Sequence, residues 1–162
     1  MSPVSRSMEV TGSVTPPRHV RVLHVDDDPA LRDLAADFLE RVDEEMTVRS
    51  ESDPRAVPER IESEPIHCVV SDKRMPECDG LELCRRVRED HPDLPFVLFT
   101  SEGGDDVVER ANEVGVTDYV PKAPGVEQYE LLADRIRAAV EHRRSRERYD
   151  DVETPSGTQP TA

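Results

Sequence analysis

Five short apolar runs punctuate the chain, and a helical pattern follows each of them. The runs are Val20–Val25, the weaker Thr47–Ser50, Ile66–Ser71, Phe96–Phe99 and Thr117–Val120. Short, largely apolar runs of this kind read as parallel strands buried on both faces. After the first run, Asp28-Pro29 reads as helix cap and first helical residue. Leu31, Leu34, Ala35, Phe38, Leu39 and Val42 then fall at spacings of three and four, which is one apolar helical face. Pro54–Ile61 predicts only a poor helix, because Pro58 interrupts it. The spacing of Leu81, Cys84 and Val87 predicts a helix over Leu81–Glu89. A further helix is expected over Asp105–Val114, capped by Asp105 and ended by Gly115. Glu127 to about Arg146 predicts the last, with Tyr129, Leu132, Ile136, Ala139 and Val140 on one face. Strand and helix alternate five times, so the expected fold is a doubly wound α/β one: a five-stranded parallel sheet, helices on both faces, right-handed crossovers.

Such a sheet gathers the carboxyl ends of its strands along one edge, where ligands bind. The first run ends in Asp26-Asp27-Asp28, the third in Asp72, the fourth in Thr100, and the fifth passes Pro121 to Lys122. Three acids, a hydroxyl and an ammonium are therefore expected at one place. Asp26 and Asp27, with Asp72 opposite, suit Mg²⁺, a hard cation that takes oxygen ligands. A bound metal neutralises phosphoryl oxygens during transfer. Asp72 is then a candidate nucleophile that forms an acyl phosphate, with Thr100 and Lys122 on the phosphoryl oxygens. Taken singly, these residues have plainer readings. The Asp triplet caps a helix, Asp72 makes a turn before Lys73-Arg74, Thr100 ends a strand, and Lys122 is a surface charge.

Composition narrows the field. The net charge of -15 argues against nucleic acid and against an anionic membrane surface as partners. Lys73 and Lys122 are the only lysines among 21 basic residues, and Asp and Glu number 36. That balance suits a halophilic cytoplasm, where salt screens self-repulsion. Cys68, Cys78 and Cys84 show no metal-type pair and no disulfide pattern, as in a reducing cytosol. No run approaches the ~20 apolar residues of a membrane span, and residues 1–18 lack the apolar core of a signal peptide. The expected organisation is a disordered leader over 1–18, one domain over 19–146 and a disordered tail over 147–162. The basic run Arg143-Arg144-Ser145-Arg146-Glu147-Arg148 is read as cations complementing a helix C-terminus.

With these residues in view, the chain resembles the receiver domain of two-component response regulators, the CheY-like superfamily, with a halophilic archaeon as the expected source. The stretches that carry the likeness are Val22–Pro29, Val69–Gly80 with its Asp-x-x-Met-Pro-x-x-Asp-Gly, Phe96–Ser101 and Asp118–Lys122. The resemblance implies a flavodoxin-like strand order 2-1-3-4-5. It implies phosphorylation of Asp72 by a sensor histidine kinase or a histidine phosphotransfer protein. Mg²⁺ would be bound by Asp27, Asp72 and the backbone carbonyl of Arg74, with Asp26 acting through water. Thr100 and Tyr119 would form the switch that reshapes a face for an unknown downstream protein. A phosphorylation-dependent homodimer belongs to the same expectation. No nucleic acid or membrane is expected as a partner, and the location expected is the cytoplasm.

On this reading the protein is not an enzyme beyond its own phosphorylation and dephosphorylation. It acts as a stand-alone receiver, since about 15 residues after the last helix are too few for a DNA-binding module. Three departures from the family stand out. Ala123 follows Lys122 where the family has a proline, usually through a cis bond. Lys73 and Arg74 put two cations beside Asp72, where Arg74 could shield a phosphoryl group from water. Glu102, two residues past Thr100, could do the reverse. Two alternatives stay open: a haloacid-dehalogenase-type phosphohydrolase with Asp26 as nucleophile, and a receiver-like scaffold that takes no phosphate.

Overall fold

The computed structural model describes residues 18–76, 78–101 and 103–158. Its strands are β1 (Val20–Val25), β2 (Met46–Glu51), β3 (Cys68–Ser71), β4 (Phe96–Thr100) and β5 (Asp118–Pro121). The helices are α1 (Pro29–Val42), α2 (Val57–Ser63), α3 (Gly80–Asp90), α4 (Asp105–Val114) and α5 (Glu127–Thr158). All strand pairs are parallel, in the order β2-β1-β3-β4-β5. This is the 2-1-3-4-5 order expected. The central strands are apolar because each face meets a helix layer; β2, at the edge, is buried fully only at Met46.

Alternation along the strands divides the core. Val20 and Val22 of β1, Val70 of β3 and Phe99 of β4 meet α1 and α5 through Leu39, Leu132 and Ile136. Leu23 and Val25 point the other way, with Val69 and Phe96, onto α2 and α3 through Ile61, Leu83 and Val87. Leu98 completes a smaller cluster with Leu81, Val107 and Ala111, which seats α4.

Several boundaries differ from the expectation, each for a physical reason. Pro58 does not break its helix. A 3₁₀ turn over Pro54–Ala56 precedes α2, and Pro58 lies in the first helical turn, where a missing N–H leaves no bond unmade. Asp105 is not the cap of α4. Gly104 takes that position at φ 122°, with no side-chain bond, and Asp105 lies in the first turn, where its charge suits the helix dipole. Asp28 does cap α1, accepting from the N–H groups of Ala30 and Leu31. On α1 the inward stripe is narrower than expected: Leu34 and Val42 are 42% and 44% exposed. On α5, Ala133 is buried and Ala139 only half so. That helix continues past Arg146 to Thr158, so part of the segment expected as a disordered tail is helical. Residues 1–17 and 159–162, the rest of the expected leader and tail, lie outside the described residues. Among the described residues no helix is long and apolar enough to cross a membrane.

Candidate functional site

Sheet register sets the site. Val25 pairs with Ser71, so Asp26 and Asp72 follow at the same level of neighbouring strands. The Asp72 N–H donates to the Val25 carbonyl at 3.2 Å. On the other side, Thr100 pairs with Pro121, and the Lys122 N–H donates to the Thr100 carbonyl at 2.9 Å. From there Lys122 reaches back across the edge. Its Nζ lies 3.3 Å from Asp26 Oδ2 and 3.1 Å from Asp72 Oδ2.

Each carboxylate divides its two oxygens in the same manner. Asp26 Oδ1 accepts from the Asp28 N–H at 3.0 Å, and Asp72 Oδ1 accepts from the Lys73 N–H at 2.7 Å. The outer oxygens go to Lys122. The Asp26 side chain is 1% exposed, that of Asp72 15% and that of Lys122 17%. Two anions and one cation in so little water leave a surplus negative charge, an environment that favours a further cation. Thr100 is buried at the tip of β4.

The remaining expected residues surround this trio. Asp27 is exposed and lines a cavity of about 440 Å³ with Lys73, Arg74, Met75, Pro76 and Asp79. Lys73 is 9% exposed, with Nζ 3.8 Å from Asp79 Oδ2. Asp79 Oδ1 meanwhile caps α3 by accepting from the Glu82 N–H. Tyr119 is half-buried, and its hydroxyl lies against Gly103, where a Cβ would fall 2.5 Å from it. The ring therefore lies along the loop from β4 to α4. No peptide bond among the described residues is cis, so Lys122–Ala123 is trans. Glu102 lies outside the described residues. At the far end of the molecule, Arg143 pairs with Glu147 at 2.9 Å.

The sequence of residues 22–134 matches the family described as the response regulator receiver domain. The chain belongs to that family. The response regulator MprA of Mycolicibacterium vanbaalenii is 40% identical to this receiver over 121 residues, 74% of this chain and 49% of that protein. A protein-glutamate methylesterase/protein-glutamine glutaminase of Methylobacillus flagellatus is 32% identical over 128 residues, 74% of this chain and 36% of that one. The receiver thus spans between about a third and a half of these relatives' lengths. Among solved structures, a CheY-like receiver domain protein from Methanospirillum hungatei shares the fold. Its TM-score is 0.70 at 21% identity, covering 79% of this chain and 98% of that one.

Receiver domains use Mg²⁺ for phosphorylation, and the donors here suit it in kind: carboxylates and a loop carbonyl at one edge. Among the described residues no three acids, histidines or cysteines form a ready-made metal cage. Mg²⁺ does not need one, because it holds several waters and binds through one or two carboxylates together with substrate phosphate.

Two residues of the receiver's edge escaped the sequence reading. Gly80 opens α3, and its N–H donates to the Lys73 carbonyl at 2.7 Å. A Cβ there would drive into the Asp72 carbonyl oxygen. The Asp-Gly pair was visible, but not what it presses against. The other is His24, which shares a sheet face with Asp26. It is 1% exposed, and neither ring nitrogen has a partner among the described residues. Burial, reinforced by Lys122, pushes its pKa down to about 4, so the ring is neutral at pH 7. The available signal was a lone imidazole inside an apolar run.

Proposed function

We propose that this receiver accepts a phosphoryl group on Asp72 from a phosphohistidine of a sensor histidine kinase or histidine phosphotransfer protein. An Asp72 oxygen attacks phosphorus, the P–N bond breaks, and the imidazole leaves with a proton while an acyl phosphate forms. The observation that carries the reading is Lys122 bridging Asp26 and Asp72 from the far side of the edge. Its ammonium holds the Asp72 oxygen in place, and after transfer it has a phosphoryl oxygen to pair with. Thr100, one strand over, supplies a hydroxyl to another. Asp27, Asp72 and the Arg74 carbonyl would hold Mg²⁺, with Asp26 acting through water, and the bound ion would offset charge on the phosphoryl oxygens.

The new dianion biases a two-state surface. Thr100 moves toward the phosphoryl group, Tyr119 follows from its place beside Gly103, and the face built by α4, β5 and α5 changes shape for a protein partner. Val108 on α4, Leu131 on α5 and Val126 in the turn just before α5 are apolar and exposed.

A phosphohydrolase working through Asp26 is the rival reading. The Asp26 carboxylate is sealed from solvent and committed to Lys122 and the Asp28 N–H, a poor position for attack. Mass spectrometry after treatment with acetyl phosphate and Mg²⁺ separates the readings. We expect one added phosphoryl group in the wild type and none in Asp72→Asn. An adduct that survives in Asp72→Asn and vanishes in Asp26→Asn would replace this proposal with its rival.

A further inference from the structure

The basic run Arg143–Arg148 suits a helix C-terminus only if the helix ends there. It does not: α5 continues to Thr158, and the dipole is felt only within the last turn. These cations stand at the end of the sheet opposite the proposed phosphoacceptor. His67 directly precedes β3 and Asp72 directly follows it, so at roughly 3.3 Å per residue the two lie about 17 Å apart. Beside His67 a cavity of about 190 Å³ is lined by His67, Val140, Arg143, Arg144 and Glu147. We propose that this cavity binds a phosphate group, either the free ion or the phosphate of a small monoester.

His67 sets the chemistry. Its Nδ1 accepts from the Arg21 N–H at 2.8 Å, so the neutral ring carries its proton on Nε2. Nε2 keeps access to solvent and has no partner among the described residues. What the ring has left to offer is a donor and no acceptor. Arg143 and Arg144 bring guanidinium groups, which only donate. Both are anchored. Arg143 Nε lies 2.9 Å from Glu147 Oε2, and a terminal nitrogen of Arg144 donates to the His19 carbonyl at 2.5 Å. The terminal nitrogens of Arg143 have no partner among the described residues.

Donors without acceptors select an anion, and a guanidinium matches phosphate oxygens in pairs. The field agrees. Burial, and then the charges of Arg144, His19, Arg21 and Arg143, push the His67 pKa down to about 4, so this end is positive although the chain carries -15 overall. The acid in the lining, Glu147, has its side chain 59% exposed and paired with Arg143. Size points to a small group: the cavity falls short of the ~300 Å³ at which drug-sized sites begin, and it holds a tetrahedral ion with a few waters at about 30 Å³ each. Arg143 also borders a neighbouring cavity of about 290 Å³, with Arg88, His142, Arg146 and the acid Asp93. That space would receive the organic part of a monoester.

The test is a ¹H–¹⁵N NMR titration of the full chain at about pH 7.5, where phosphate is mostly dianionic. Mg²⁺ and phosphodonor are left out, and sodium chloride holds the ionic strength constant. The probes are inorganic phosphate and AMP. Saturable shifts are expected at residues 21, 67 and 140–147. Tighter binding of AMP would assign the site to a monoester, and equal or weaker binding to the free ion. Arg143→Gln should weaken phosphate about tenfold, the worth of one charged hydrogen bond, and Glu147→Gln should tighten it severalfold. Arg41→Gln makes the same change in net charge on exposed α1 and should alter nothing. Shifts that never saturate, shifts at residues 26, 72 and 122 instead, or equal losses in Arg143→Gln and Arg41→Gln would each overturn the site. If Arg143→Gln fails to fold, the direction of the Glu147→Gln effect decides. Asp72 takes no part in this binding, so a negative result leaves its phosphorylation untouched.

Discussion

Adding one methyl group at Gly80 perturbs the site from behind, without touching a charged group. In Gly80→Ala the new Cβ would overlap the Asp72 carbonyl oxygen, and it would stand 3.0 Å from Leu98 Cδ1 and 3.1 Å from the Asp72 carbonyl carbon. Carbon pairs rest at about 3.5–4.0 Å, so the backbone at Asp72 or the start of α3 must retreat by roughly half an ångström or more. Leu98 is buried against Leu81 and cannot swing clear. Overpacking of this kind costs about 1–3 kcal/mol, and the upper part of that range applies because the obstruction is main chain. Alanine's advantage over glycine in a helix returns about 0.5–1 kcal/mol. The net loss is about 2 kcal/mol, and a chain of this size should lose about 4–8 °C in melting temperature.

The same displacement carries Asp72 away from Lys122, now 3.1 Å distant. Reaction rates fall about 100-fold for a 1 Å misplacement, so phosphorylation by acetyl phosphate should slow about tenfold. Thermal unfolding by circular dichroism and the rate of adduct formation measure the two effects separately. Gly104→Ala is the control. Nothing stands within 4 Å of its Cβ, but its φ is 122°, so it should lose stability without slowing phosphorylation. A Gly80→Ala protein that melts with the wild type and takes phosphate at the wild-type rate would refute the close-approach argument. Loss of stability with an unchanged rate would refute only its link to Asp72.

Lys122→Met strands two carboxylates of 1% and 15% exposure, so it should cost about 3 kcal/mol, and Mg²⁺ should raise its melting temperature more than that of the wild type. Equal responses to Mg²⁺ in the two proteins would show that the pocket does not need a cation. Arg74 is exposed on the cavity beside Asp27 and Lys73. Arg74→Ala should shorten the half-life of the aspartyl phosphate severalfold by admitting water, and unchanged decay would reject its shielding role. His67 has its pKa pushed down to about 4 by burial and by Arg144, and its Nδ1 accepts from the Arg21 N–H at 2.8 Å. The unfolded chain takes a proton near pH 6.5 that the fold refuses, so this contribution is intact above that pH and is lost progressively toward pH 4. His67→Gln should flatten the acid limb of a stability–pH curve, and an unaltered slope would count against this assignment.

Burial on both faces is what made the strands legible. Val20–Val25, despite Arg21 and His24, and Phe96–Phe99 kept apolar residues on both faces rather than one, because each face meets a helix. The misses share a different cause: they concern backbone needs that composition does not express. Pro58 looked like a breaker until its position in the first turn was known. Asp105 was read as the cap of α4, and it is the backbone angles of the loop that give that place to Gly104. The continuation of α5 past Arg146 has no apolar stripe in the sequence to announce it; among the side chains described, Val140 is the last buried apolar residue of that helix. His24 was hidden by its neighbours, a lone imidazole inside a largely apolar run.

The site was easier to read than these details because strand register carries it. Val25 lies beside Ser71, and Thr100 beside Pro121. In each pair the chemistry sits at the strand tip or one residue beyond it, so the same register that aligns the core aligns Asp26 with Asp72 and sets Lys122 next to Thr100. A slip of one residue would turn every side chain of a strand to its opposite face. In β1, a slip would send Val20 and Val22 away from α1 and α5, and would move Asp26 off the face it shares with His24. Hydrophobic burial therefore enforces the geometry of the polar edge, although no apolar residue takes part in its chemistry. Substitutions deep in β1 or β3 that weaken register should then disturb phosphorylation as surely as changes at Thr100. Conservative core changes that keep register, such as Val70→Ile, should lower stability and leave the Lys122 bridge in place.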